Sequence, residues 1–136
     1  MTKTWTREDD VLIARVAEGL DVVWHAYMQE VFSGQYFEHS ADFMIATSSK
    51  VNPCVKIPAY PTDLLAGYRA LESWRVKRPL GRTWRIESYV GKGDHVTVFI
   101  FESYTLGRSL KYSAVAETLA EAIALALLEA CEGEVK

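Results

Sequence analysis

The sequence predicts an α+β domain in which helices pack against a small, mainly antiparallel sheet. Three observations lead to that class. Pro58 and Pro61 lie just before Thr62-Asp63, and Leu64, Tyr68, Leu71 and Arg75 follow at helical spacing. Thr83 to Val90 and His95 to Glu102 alternate as strands do, on either side of the glycine-rich Gly91-Lys-Gly-Asp94. Ala114 to Ala130 is rich in Ala and Leu, as expected of a C-terminal helix that packs closely on a sheet.

In chain order, Thr6 with Asp9 three residues on forms a short relative of the capping box, and Val11, Leu12, Arg15 and Val16 continue a first helix. Gly19 interrupts or kinks it. Leu20, Val23, Trp24, Tyr27, Met28 and Val31 then read as a second amphipathic run, ending near Ser33-Gly34. Phe43 to Ile45 and Cys54 to Ile57 read as short extended pieces separated by polar turn residues. The two prolines bar their predecessors from the α region, so the chain stays extended up to Thr62, whose hydroxyl is the expected cap.

The next helix ends before Pro79 and Gly81. On the first strand of the hairpin Trp84, Ile86 and Val90 share one face, and Arg85, Glu87 and Tyr89 the other. The second strand is apolar on both faces, with Val96, Val98 and Ile100 opposed to Phe99 and Phe101, so it reads as an interior strand covered on both sides. Ser109 to Ser113 adds a short strand. In the last helix Thr118 and Glu121 are spaced as a capping box.

The chain of 136 residues is long enough for one domain with its own core, and its 49% hydrophobic and 24% charged residues are those of a globular protein. A net charge of -3 argues against long nucleic acid as a partner. The N-terminus has no signal-peptide core and no run is long and apolar enough for a bilayer, so a cytoplasmic protein with no membrane partner is expected. Cys54 and Cys131 are far apart and read as reduced thiols.

Taken together, Pro58-Ala-Tyr-Pro-Thr-Asp63, Trp84-Arg-Ile-Glu87 and Ala116-Glu-Thr-Leu-Ala-Glu-Ala-Ile-Ala-Leu-Ala-Leu-Leu128 resemble the phage ABA-sandwich domain family of small bacteriophage and prophage proteins. Gly19-Leu-Asp-Val-Val23 resembles that family's first long helix, so the similarity runs from about Arg7 to Ala130. The resemblance implies a three-layer α-β-α sandwich encoded by a phage, and brings no established enzyme activity. The stretches Ser33 to Val55 and Ser103 to Ser113 are longer than the family pattern, and such additions are where function can sit.

Catalytic and metal motifs are missing from the sequence. His25, His39 and His95 lack metal-ligand spacing, Ser48-Ser-Lys50 lacks the setting of a nucleophile, and Gly91-Lys-Gly93 precedes a strand where a phosphate loop would need a helix. No cofactor, metal or catalytic set is expected. Asp9-Asp10 and Glu38-His39 could form acid-base pairs only if folding brought other groups to them, and otherwise read as polar residues facing solvent.

One charge asymmetry remains. Arg75, Lys77, Arg78, Arg82 and Arg85 fall close together with no Asp or Glu among them, while Glu117, Glu121, Glu129, Glu132 and Glu134 mark the last helix and tail. The helix dipole accounts for part of the basic run. Guanidinium groups also fork onto phosphates, and Trp74, Tyr60 or Tyr89 could stack on a base. The expected function is therefore non-catalytic sequestration of a small phosphorylated, nucleotide-type signal of anti-phage immunity. The ligand-binding residues expected for it are Tyr60, Arg78, Arg82, Arg85 and Tyr89. The alternative is a protein-interaction or assembly module that forms homo-oligomers through Phe37, Tyr104 and Tyr112, and homo-oligomerisation is expected in either case. An enzyme, for example a phosphodiesterase, is the third reading.

Overall fold

Helices pack on a small antiparallel sheet, the α+β class expected from the sequence. The computed structural model describes residues 3–20, 22–25, 30–33, 55–89, 95–103 and 109–134. In order they form α1 (Arg7–Val16), β1 (Val22–His25), β2 (Glu30–Ser33), β3 (Val55–Lys56), a 3₁₀ turn (Tyr60–Thr62), α2 (Leu64–Val76), β4 (Arg82–Tyr89), β5 (His95–Ser103), β6 (Ser109–Ala116) and α3 (Leu119–Glu134).

The start of α1 follows its sequence signal: the Asp9 carboxylate accepts from Thr6 N–H at 2.9 Å, and Glu8, Asp9 and Asp10 lie at the positive end of the dipole. Its end is set by Gly19, whose φ of 67° is in the left-handed region, while Leu20 N–H closes back on Ala14 O at 3.0 Å. The second helical run expected from Leu20 to Val31 does not form. Val22–His25 and Glu30–Ser33 pair antiparallel instead, with Val23 opposite Phe32 and Trp24 opposite Val31. These segments are β-branched and aromatic, and that preference outweighs a spacing that also fits a helix. β3 extends the same sheet from within the expected Cys54 to Ile57 piece. The expected Phe43 to Ile45 piece lies outside the described residues.

The chain does not stay extended up to Thr62: Tyr60–Thr62 forms the 3₁₀ turn around Pro61, and the cap of α2 comes one residue later than expected. Asp63 accepts from Ala66 N–H at 3.1 Å, whereas the Thr62 hydroxyl donates to Ala59 O at 3.1 Å inside the 3₁₀ turn. With Thr62 occupied in this way, the adjacent carboxylate meets the first turn of α2.

β4, β5 and β6 form a second antiparallel sheet with β5 in the middle. The last strand is longer than expected: Ala114 and Ala116 pair with Val98 and Val96, and α3 starts only at Leu119, where the Thr118 hydroxyl accepts from Glu121 N–H. α3 lies on β5 and β6, and α1, α2 and the 3₁₀ turn pack on α3 in turn. The layers thus stack as sheet, α3, and then α1 with α2. This middle position explains the alanines. Ala122, Ala124, Ala126 and Ala130 are all buried, and Gly67 of α2 approaches so closely that an added Cβ would lie 3.3 Å from Ile123 Cγ2. Trp74, Tyr60, Ile13, Leu71, Val98 and Ile100 fill the surrounding core.

Candidate functional site: the open face of the sheet

The five residues expected to bind a ligand fall in different places. Tyr60 is fully buried; its hydroxyl donates to Glu18 and its N–H to Asp10 Oδ1 at 3.0 Å. Burial and the bond to Glu18 push its phenol pKa up. Glu18 also accepts from Arg69 Nε at 2.6 Å. Tyr60 therefore belongs to the scaffold, because its ring is enclosed by the core and has no face left for a base.

Arg82 is only 3% exposed, beneath the sheet. Its guanidinium lies 4.4 Å from the centre of the Trp74 ring. Its Nε donates to Glu102 at 2.7 Å, one terminal nitrogen to Trp74 O at 2.9 Å and the other to Glu134. Arg78 reaches the same Glu102 carboxylate at 3.0 Å. The structure thus brings Arg78 and Arg82 together, but around a buried carboxylate. A guanidinium with that many partners is not available to phosphate. For Tyr89 the structure describes backbone pairing with His95.

Of the three arginines Arg85 is the most open to solvent, with a side chain 58% exposed against 38% for Arg78 and 4% for Arg82. Strand alternation sends it to the face opposite Arg82, away from α3. Three cross-strand rows build that face: Thr83, Phe101 and Lys111; Arg85, Phe99 and Ser113; Glu87, Thr97 and Val115. Among the described residues no helix packs there. The Phe99 and Phe101 rings lie 6.3 Å apart with 17° between their planes. The Arg85 guanidinium sits 4.9 Å from the centre of Phe99 and 5.7 Å from that of Phe101, and Lys111 Nζ lies 4.8 Å from Phe99. Glu87 stands 3.3 Å from Arg85 and partly offsets its charge.

Phe99, Phe101 and Lys111 were not among the expected site residues, because the alternation of β5 reads as a strand covered on both sides. The usable signal was the company they keep. A face shared with Arg85, Glu87, Lys111 and Ser113 is too polar for a second buried layer.

A second concave region, of about 620 Å³, lies where α1, β2 and the Pro58 turn meet. Its cations are held: Arg7 donates to Glu30 and Asp10 at 2.9 Å and to Pro58 O at 2.8 Å. Burial works to lower the Arg7 pKa, yet Asp10 and Glu30 together hold it above its ordinary value. Arg69 is on Glu18, and only Lys56 is loosely placed, 3.6 Å from Glu30. Among the described residues no three His, Cys, Asp or Glu converge as a metal site, and no helix is long and apolar enough to cross a membrane. Comparison with known protein families, with curated proteins and with solved structures finds no match to this chain.

Proposed function

We propose that this chain is a non-catalytic binding protein that holds a small phosphorylated, nucleotide-type molecule on the open face of β4, β5 and β6. One observation carries the reading: two neighbouring phenyl rings face away from the core with Arg85 and Lys111 laid over them. Phenyl rings give a base a stacking surface, the guanidinium plane gives it a second, and both cations can bond phosphate oxygens. Aromatic residues two apart on a central strand are also how sheet-based nucleic-acid modules receive bases. Among the described residues two Lys or Arg side chains serve this face, Glu87 adjoins it, and the chain is acidic overall, so a short ligand fits better than a long strand. The resemblance to phage sandwich domains supplies the setting: capture, in the host bacterial cytoplasm, of a nucleotide signal of anti-phage immunity.

The test is calorimetric titration with cyclic oligonucleotides and ADP-ribose derivatives, paired with thermal shift. Binding of one of these is expected, with Phe99→Ala weakening it by roughly 5- to 150-fold, the range of about 1–3 kcal/mol per stacked base. Arg85→Ala should also weaken it. No heat and no stabilisation with any of these ligands would overturn the proposal, as would affinity unchanged in both variants.

A further inference from the structure

β6 is an edge strand of unusual openness. It pairs with β5 on one side, and among the described residues no strand lies on the other. Its eight residues, Ser109–Ala116, contain no Pro or Gly and one formal charge, Lys111, so it lacks most of the devices that keep sheet edges apart. Leu110 is 41% and Val115 59% exposed.

A second copy of this chain suits the edge in one register. Two antiparallel copies of β6 are related by a two-fold axis perpendicular to the sheet, so helix-side residues meet helix-side residues. With Ser113 on the axis, Leu110 falls opposite Ala116 of the second copy and Tyr112 opposite its Ala114. Large therefore meets small at every helix-side pair. On the open face the Lys111 stem lies along Val115 of the second copy and the two Ser113 residues face each other, keeping the lysines apart. Placing Tyr112 on the axis would set the two tyrosines against each other. Placing Ala114 there would leave small against small.

Behind the strand, a cleft of about 350 Å³ runs between β6 and α3 at Ala114, with Leu125 and Leu128 on its apolar side and three carboxylates, Glu121, Glu129 and Glu132, against one cation, Lys3.

We infer that the protein forms a two-fold dimer through antiparallel self-pairing of β6 centred on Ser113, joining two three-stranded sheets into one of six strands. The edge adjoins the ligand face proposed above and shares Lys111 and Ser113 with it, but the pairing of backbones does not require the ligand. The carboxylates of the two copies approach across the joint, so the dimer tightens as salt is added.

Sedimentation of the full chain up to about 200 µM tests this, a range chosen because small interfaces are weak. A species of twice the 15.3 kDa chain mass is expected, more populated at higher salt. Ser113→Lys puts two like charges on the axis and should weaken the dimer at least about tenfold while far-UV circular dichroism stays unchanged. Ser113→Cys should cross-link to itself under mild oxidation, and Leu110→Cys, which faces Ala116, should not. A monomer throughout the range overturns the inference, as does a dimer indifferent to Ser113→Lys or a Leu110→Cys that cross-links as readily as Ser113→Cys.

Discussion

Replacing Arg82 or Arg85 by Ala separates the two arginines that the sequence groups together. Arg82→Ala removes a nearly buried guanidinium from Glu102, Glu134, Trp74 O and the face of Trp74. Breaking a buried pair by deleting one partner costs about 3–5 kcal/mol. Glu102 retains Arg78 and Glu134 is partly exposed, so the lower end, about 3 kcal/mol, is expected. For a chain of this size that lowers Tm by roughly 10 °C. Arg85→Ala removes a solvent-facing group with one half-buried carboxylate partner and two ring contacts, worth below about 1 kcal/mol. Urea unfolding followed by tryptophan fluorescence gives both values, with equal slopes showing that the unfolded states match. If Arg82→Ala proves no more destabilising than Arg85→Ala, the buried network is not what holds β4 to α3, and Arg82 returns as a ligand residue.

Gly81→Ala should destabilise by about 1–3 kcal/mol in the same assay, because its Cβ would lie 2.8 Å from the Ser103 carbonyl oxygen and the backbone would have to shift. Cys131 is buried, and burial pushes its thiol up to about 12, so in native protein at pH 8 peptide mapping should find it unalkylated, with labelling only after unfolding. Arg75 and the Trp84 indole N–H hold the Glu72 carboxyl below the usual carboxylate range. The stability this pair of contacts confers is therefore present above the ordinary value and lost as pH falls through the depressed one. The Trp84 indole proton should follow that titration by NMR with a midpoint below about 4.3, and Arg75→Ala should raise it; a midpoint at or above that value in the parent protein contradicts the assignment.

Where one physical signal dominated, the fold was legible in the sequence. Pro58 and Pro61 mark the turn, Thr6 with Asp9 marks the first helix, and Thr118 with Glu121 marks the last. Periodicity misleads where two structures share it. Leu20 to Val31 satisfies a helical spacing, yet Gly19 reverses the chain and the β-branched pair Val22-Val23 and the β-branched and aromatic pair Val31-Phe32 settle in strands. The hairpin shows a subtler limit. A four-residue connection between Val90 and His95 would set those two residues opposite each other, whereas the structure pairs Tyr89 with His95. That single step decides which side chains share a face, since a one-residue slip would put Arg85 opposite Ile100 instead of Phe99. The candidate site depended on this register and on no described helix lying over Phe99, neither of which the composition of β5 encodes.

Charge behaves the same way. The run from Arg75 to Arg85 is uniform in sequence, but strand alternation divides it between two environments. Arg82 faces α3, where burial is tolerable only because Glu102 and Glu134 are there to receive it, and Arg78 joins it on Glu102. Thus two glutamates from distant parts of the chain, one on β5 and one at the end of α3, neutralise two of the five cations, Arg78 and Arg82, in what looked like a phosphate-binding cluster. Arg85 faces outward, where a guanidinium over phenyl rings is stable without a buried counter-ion and keeps its donors exposed. Net charge therefore says little about which cations can meet a ligand. The deciding quantity is how many acceptors each one already has, and by that measure Arg85, on the open face of the sheet, is less committed than Arg82.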